Sequence, residues 1–506
     1  MNTREIISAA KYLASIKPAF LLSELCSSLP DDVPPHEVCR ALAPHLGALD
    51  LTATKTGGDY EIRRKIKTAP YILSGQEKDR IDSFLAARRI PPSLERAVEQ
   101  YITKKVQKPW DDPVILERLR RAIVAQKAEY WKAAAKKRSL AYTKGYTVLS
   151  YLAYHFPVYF MQTEYLMRTL ASAGLLRQSM AIVDIGTGPG VVPLAIAGFY
   201  SHLDTATATL HTIERSEEHI EALLFLAASF CGDIPRVVIR PPVKADIRDL
   251  PDAALPDRID LLVFSNVLNE LDDFTTDQRA DLVMKLAERL SPDGSILIVE
   301  PAEKENTIRL RSLSRALAGR GLTVHSPCAF LWGTRCDPSR CWSFKTQADI
   351  RPTRLMERLA ACDEPFRYIN IDIKYAYVIL RRDTTVQHPY HIPPRSKYSR
   401  LSKLHLHLNR RINIIAAKMS QELGDKKTHV FKLCDGTAAK PVYGVLPAYH
   451  ITPSNEVLIP ARYGDIMELH NVLVRYNKAH DAYNLLINRN TRIHPAYQKE
   501  GDTEDY

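Results

Sequence analysis

From Ala181 to Gly190 the chain reads Ala-Ile-Val-Asp-Ile-Gly-Thr-Gly-Pro-Gly: an apolar run that ends in Asp184 and Ile185, then breaks into Gly186, Gly188 and Gly190 around Thr187. Glycine admits positive φ and puts no Cβ between backbone and ligand, so this spacing suits a loop lying close against a bound molecule; a tight structural turn is the plainer alternative. Dinucleotide loops carry the third glycine one place later and rest a pyrophosphate on the following helix, so a different ligand is expected. Glu214 ends the next apolar run, where an acid accepts both hydroxyls of a ribose. Asp246 and Ile247 follow the third run, and Ser265-Asn266 close the fourth. In a parallel sheet these strand ends line one crevice at the carboxyl edge. Asn269 and Glu270, just beyond, are the candidates to orient or deprotonate a target, and capping a helix start is the plainer role for both.

A second group is sulfur. Cys328, Cys336 and Cys341 crowd into a loop with Pro327, Gly333 and Pro338, at seven- and four-residue separations unlike the Cys-x-x-Cys of zinc ribbons. An irregular loop wraps a cubane cluster well, because thiolates reach a large object from several directions. A fourth ligand is needed, either Cys362 or Cys434. Zinc and plain buried thiols are the competing readings.

The elements that must position these residues follow from periodicity. Three short helices (Thr3 to Ile16, Ala19 to Ser28, Pro35 to Leu49) and a Leu51 to Arg63 hairpin turned by Gly57-Gly58 predict a winged-helix-like domain over 1–65. Residues 66–175 read as a helical, basic domain that includes one long helix from Val114 to Lys137. Strands at 180–185, 207–213, 236–240, 259–264, 294–299, 322–325 and 374–380, alternating with helices, predict an α/β domain over 176–382 built on an open parallel sheet. The Cys-rich loop 326–344 is inserted into it. A linker spans 383–399 with Pro389 and Pro393-Pro394. Residues 400–506 read as a basic C-terminal α+β domain with strands at Val430 to Leu433, Val442 to Ala448 and Glu456 to Pro460, supplying Cys434.

With 506 residues, 45% hydrophobic and 25% charged, the composition excludes disordered and collagen-like classes, and the length suits roughly three domains. Eight cysteines are too few for a disulfide scaffold. No apolar run approaches a membrane span, and the first residues resemble neither a secretory nor an organellar leader, so a cytoplasmic monomer is expected. The net charge of +11 is unevenly spread: residues 101–145 hold 12 basic and 4 acidic side chains, 381–430 hold 11 and 3, and 180–300 hold 9 and 20. Basic flanks interleaved with Tyr130, Trp131, Tyr142, Tyr390, Tyr398, His405 and His407 point to RNA, whose unpaired bases stack on such rings.

The Asp184 to Gly190 loop resembles motif I of class I S-adenosylmethionine methyltransferases, a Rossmann-like fold. The resemblance implies S-adenosylmethionine held by Asp184, Gly186, Thr187, Gly188, Gly190, Glu214 (ribose), Asp246 and Ile247 (adenine), Ser265 and Asn266. The Asn/Asp-Pro-Pro-aromatic signature of amine methyltransferases is absent, its place taken by Ser265-Asn266-Val267-Leu268. More broadly, Ile90-Pro91-Pro92-Ser93-Leu94, Ala153-Tyr154-His155-Phe156-Pro157, Ser265 to Leu271, Ile298 to Pro301, Cys328 to Cys341, Tyr375 to Val378 and Leu433-Cys434-Asp435-Gly436 resemble the methyltransferase-like assembly factors of the small ribosomal subunit, mitochondrial and prokaryotic. That resemblance implies small-subunit rRNA as partner and a structural [4Fe-4S] cluster on Cys328, Cys336, Cys341 and Cys434, leaving Cys362 out. Where the family has Cys-Pro-His and Trp-Cys-His-Phe, this chain has Cys328-Ala329-Phe330 and Cys341-Trp342-Ser343-Phe344. The expected function is a methyltransferase acting on or binding small-subunit rRNA. The alternatives are a non-catalytic assembly factor and a small-molecule methyltransferase.

Overall fold

The computed structural model describes residues 3–17, 19–29, 33–46, 49, 51–56, 58–64, 69–130, 145–333, 336–393 and 395–496. The ring of Tyr130, Trp131, Tyr142, Gly57, Pro394, the 131–137 end of the expected long helix and the acidic tip beyond Ala496 lie outside the described residues. The chain divides into two compact units, Met1–Ala69 and Pro70–Tyr506.

In the first unit, helix α1 (Thr3–Ile16) precedes strand β1 (Ala19–Leu21), helices α2 (Leu22–Ser27) and α3 (Pro35–Leu42), and the hairpin of β2 (Leu51–Thr56) and β3 (Asp59–Arg64). Ile6, Ala10 and Leu13 recur at helical spacing and pack on Leu25, Val38 and Ile62. Residues 19–21, expected as helix, instead form a strand, because pairing with Glu61–Arg63 gives their backbone groups partners in a β1-β3-β2 sheet.

The second unit opens with helices α4 (Gly75–Ala87), α5 (Pro92–Val106), α6 (Pro113–Tyr130), α7 (Tyr146–Tyr154) and α8 (Phe156–Ser172). Helix α4 starts in a capping box: the Glu77 amide donates to Ser74 Oγ at 3.2 Å, and the Ser74 amide donates to Glu77 Oε2 at 2.7 Å. There follow β4 (Ser179–Ile185), α9 (Val191–Ser201), β5 (Thr207–Glu214), α10 (Glu217–Phe230), β6 (Val237–Ile239), β7 (Val243–Lys244), β8 (Ile259–Ser265), α11 (Thr276–Leu286), β9 (Leu290–Pro301), α12 (Lys304–Gly319), β10 (Thr323–Ser326), β11 (Lys345–Gln347), α13 (Arg354–Ala360) and β12 (Ile373–Arg381). They build a nine-stranded sheet whose main path runs β10-β12-β9-β8-β4-β5-β6. The central strands are near-continuous apolar runs because both faces are covered. Ile182, Leu261 and Val263 face the core containing α8 and α9, while Val183, Leu262 and Phe264 face the one containing α11 and α12.

The strand order agrees with the expected class I methyltransferase-like open sheet, and one main-path strand departs from its parallel direction. β12 runs antiparallel to both β9 and β10. A short apolar run reads alike in either direction, and only the point where the chain re-enters the sheet decides it.

After a 3₁₀ stretch at Leu401–His407, the strands β13 (Arg411–Lys418), β14 (Thr428–Cys434), β15 (Val442–Pro447), β16 (Ile466–Asn477), β17 (Ala482–Leu486) and β18 (Arg492–Pro495) follow. Their order is β13-β14-β15-β17-β16-β18, and a β13–β16 pairing closes the first five into a barrel. The α+β expectation fails here: the described residues 400–496 contain no α-helix. Glu456–Leu458, expected within a strand, is a 3₁₀ turn. Buried Lys418 holds the segment that follows, donating to the carbonyls of Leu458, Ile459 and Ala461 at 2.7–2.9 Å.

Candidate functional site

The strand order reverses between β4 and β8, and the crevice this opens at the carboxyl edge receives the glycine loop. The loop is anchored from below by the Gly186 and Thr187 amides, both donating to Ile213 O at 2.9–3.0 Å. Its three glycines differ in role. All have positive φ, but a Cβ at Gly186 would lie 2.6 Å from Val267 Cγ2 and one at Gly190 2.5 Å from Leu223 Cδ1, whereas one at Gly188 meets nothing within 4 Å. The first and third glycines therefore serve close packing, and Gly188 faces open space.

Three acids lie at or just beyond the strand ends on this edge, and one of them, Glu214, accepts from the Gly188 amide. Asp184 is 1% exposed; it accepts from the Thr187 hydroxyl at 2.5 Å, while its Oδ1 is buried without a partner. Burial, reinforced by the Glu214 charge and only partly offset by Thr187, pushes its carboxyl up to about 7. Burial also acts to raise Glu214, but hydrogen bonds from His219 and from the Ser216 and Gly188 amides (both 2.8 Å) outweigh it and hold Glu214 below the usual carboxylate range. Glu214 Oε2 keeps a further lone pair, whereas Oε1 is approached by both the Ser216 amide and His219. Asp246 accepts from the Arg248 amide at 3.0 Å at the start of the 3₁₀ turn Ile247–Asp249, and Ile247 is buried beneath it. Ser265 ends β8, and Asn266, at φ +55°, donates its amide to Val299 O at 2.9 Å.

Asn269 and Glu270 do not cap a helix start. They lie within the 3₁₀ turn Leu268–Glu270, and α11 is capped by Thr275 and Gln278 instead. Asn269 Oδ1 is buried without a partner. Glu270 faces Arg215 at 3.6 Å, and the same guanidinium lies 3.5 Å from Asp246. Arg215 is a crevice residue that sequence reasoning missed, although its place directly after Glu214 was the available signal. Glu300, at the end of β9, was missed as a site residue too; burial above all pushes it up to about 8.

On the barrel side of the sheet, β14 carries Cys434 to the loop holding Cys328, Cys336 and Cys341. The Cys434 thiol feels the charges of Cys341 and Cys328, and Cys336 feels those of Cys328 and Cys341. Burial raises the Cys328 and Cys434 thiols and pushes Cys336 up to about 11. The turn after Cys434 packs on the loop: Trp332 Nε1 donates to Asp435 at 2.9 Å, and Gly436 abuts Phe330. Two cations face the thiols. Arg311, 4% exposed, donates to the carbonyls of Tyr377 and Ser343 and to the Tyr463 hydroxyl, and Lys432 donates to Trp342 O at 2.6 Å. Cys362 takes no part in these couplings. Among the described residues, no three His, Cys, Asp or Glu side chains are grouped so that they could hold a metal ion.

Sequence comparison adds a family to this geometry. Residues 145–390 match the family model described as mitochondrial small ribosomal subunit Rsm22. The Rsm22-like stretch spans the glycine loop, the three acids and the Cys-rich loop but stops short of Cys434. Residues 3–56 and 402–496 match the N- and C-terminal models of a domain of unknown function, DUF8157. No curated protein matches.

Similar solved structures include a magnesium protoporphyrin IX methyltransferase from Synechocystis with bound S-adenosylhomocysteine, at 10% identity over 53% of this chain and 99% of that one, TM-score 0.29. A class I S-adenosylmethionine-dependent methyltransferase from Listeria monocytogenes matches at 8% identity over 62% and 91%, TM-score 0.31. One from Methanococcus maripaludis matches at 19% identity over 32% and 64%, TM-score 0.22. Among the described residues no helix is long and apolar enough to cross a membrane.

Proposed function

We propose that this chain binds S-adenosylmethionine in the crevice around Gly188 and acts on, or binds, the RNA of a small ribosomal subunit. The observation that carries the cofactor reading is the open face of Gly188, whose amide donates to Glu214, together with the orphaned buried oxygen of Asp184 on the strand that feeds the loop. A cationic ligand without phosphate fits such a donor set, whereas a pyrophosphate does not. Bound there, S-adenosylmethionine supplies an electrophilic methyl group. The chain's own residues bind and orient: Gly188 lets the ligand approach the backbone, the remaining lone pair of Glu214 Oε2 accepts from a ribose hydroxyl, and Asp246 accepts a hydrogen bond from the adenine amine. Arg215, which faces Asp246, gives way at the crevice mouth. Asp184 sets its buried negative charge against the cofactor's positive ones.

We further propose that Cys328, Cys336, Cys341 and Cys434 hold a structural [4Fe-4S] cluster. A centre bound by four thiolates is anionic, and the cations Arg311, buried, and Lys432, half-buried, whose hydrogen bonds in this structure go to carbonyls and a phenol, complement it. A four-cysteine zinc centre has the same charge, and metal analysis separates the two.

Pairing of Glu270 with Arg215 favours a second reading, a non-catalytic assembly factor in which the crevice holds a ligand that stabilises the fold. Transfer of a tritiated methyl group to purified small subunits tests both. Counts in wild type that disappear in Gly188→Arg support the enzyme. Cofactor binding without counts supports the second reading, and absence of cofactor binding overturns both.

A further inference from the structure

The two basic flanks are used differently. In the first, Arg120 and Lys127 on α6 donate to backbone carbonyls at Leu359 and Arg367, Arg121 pairs with Glu117, and Lys105 pairs with Glu221. These cations are spent on the protein's own fold. In the second flank, Arg395, Arg400 and Lys403 form no ion pair among the described residues, and together with His407 they line a cavity of about 260 Å³.

Among the described residues no carboxylate lines that cavity. Two carboxylates bonded to its lining residues are already committed. Asp435 is 0% exposed and accepts from Trp332 Nε1, the Leu401 amide and Thr437. Glu468 is engaged by Tyr398 and His470. The wall is aromatic as well as cationic: the Arg400 guanidinium sits 4.6 Å above the Trp332 ring, and Tyr398 forms another side. Ser396 Oγ is buried without a partner, and Arg395 is held at φ +65°, in the left-handed region that an arginine rarely adopts.

The barrel behind this cavity is an independent observation. Its first five strands close in the order β13-β14-β15-β17-β16 and back to β13, with β15 and β17 parallel and the other pairings antiparallel. That is the topology of the oligonucleotide- and oligosaccharide-binding (OB) barrel. In such barrels the face of the second and third strands carries the ligand. Here Lys432 on β14 is tied to Trp342 of the Cys-rich loop, so part of that face is covered and the open cationic ground lies beside it, at the end of the barrel where β14 turns.

We infer that this cavity is a phosphate-binding site, and that the barrel uses it to hold a single-stranded RNA backbone. The inference deepens the RNA-binding part of the proposed function and is independent of methyl transfer and of the cluster. Guanidinium and ammonium groups with no competing acid beside them neutralise a phosphodiester, the orphaned Ser396 hydroxyl donates to one of its oxygens, and Tyr398 offers a ring edge to a flanking base.

The test uses the full-length protein with two probes, a short fluorescein-labelled oligouridylate and free AMP, in wild type, Arg400→Gln/Lys403→Gln and Arg395→Gln. Lys285→Gln, on α11 outside the cavity, is the control, and thermal melting confirms that each variant is folded. The double variant is expected to lose about tenfold in RNA affinity at low salt, and the slope of log affinity against log salt should shallow by about 1.4, because each single-strand phosphate contact contributes roughly 0.7. Arg395→Gln should give about half that shift, and Lys285→Gln none. AMP binding that the same variants abolish, without RNA binding, would keep the phosphate site but make a free nucleotide its source, and the RNA part of the proposed function would fall. RNA binding with unchanged affinity and slope in both variants, with no AMP binding, overturns the inference and leaves that function standing.

Discussion

Replacing Asp184 with Asn separates what this residue costs the fold from what it does for a ligand. The ordinary aspartate value is 3.8, and in the folded crevice the carboxyl is pushed up to about 7. A group raised in this way binds its proton more tightly folded than unfolded, so its contribution to stability is complete below pH ~4 and is lost as pH rises to 7. At about 1.4 kcal/mol per unit, the full loss is about 4 kcal/mol. Of this, about 3 kcal/mol falls between pH 5 and pH 8.5. Asparagine is nearly isosteric, can still accept from the Thr187 hydroxyl, and does not titrate. The ligand-free Asp184→Asn protein should therefore gain about 3 kcal/mol on wild type between those two pH values while binding S-adenosylmethionine more weakly. Urea unfolding at both values measures the gain, and taking the difference between the two proteins removes the contributions of the other carboxyls that burial raises, Glu164 on α8 and Glu300, which both proteins share. A stability difference that is the same at pH 5 and pH 8.5, or that changes in the opposite direction, would refute the account of a buried, ligand-deprived carboxylate.

The glycines offer a paired contrast. Gly188→Ala should cost about 1 kcal/mol for its positive φ, and larger side chains there should abolish cofactor binding, measured by calorimetry, while the protein stays folded. Gly186→Ala should destabilise more, since its Cβ would lie 2.6 Å from Val267. Anaerobically purified Cys434→Ser should lose iron, sulfide and absorbance near 400 nm, whereas Cys362→Ser should retain them; equal metal content in both would remove Cys434 from the ligand set. Ser74→Ala should lower stability by about 1 kcal/mol by removing the α4 capping box, as read from the shift in thermal midpoint.

Much of the methyltransferase sheet was legible before any coordinates. β4, β5, β6, β8 and the second half of β9 each carry a short apolar run, and the glycine loop, Glu214 and Asp246 lie at or after strand ends, so their order along the chain already implied a shared edge, whereas the two-residue β7 gave no such signal. The thiol loop was legible for a similar reason, since three of its cysteines are neighbours in sequence. The barrel was not. Arg411–Lys418 and Ile466–Asn477 pair across more than forty intervening residues, and the outward residues of half-covered strands mix polar with apolar side chains, which blurs the two-residue alternation.

Local sequence thus determined where chain direction, glycine freedom and apolar periodicity apply, because those act over a few residues. The direction of β12, the approach of Cys434 to a loop about a hundred residues earlier, the Arg215 bridge between Asp246 and Glu270, and the cationic cavity at the barrel's end were decided only by tertiary packing. Each depends on which distant backbone or charge becomes a neighbour, and burial then sets the protonation and pairing of the side chains that meet there.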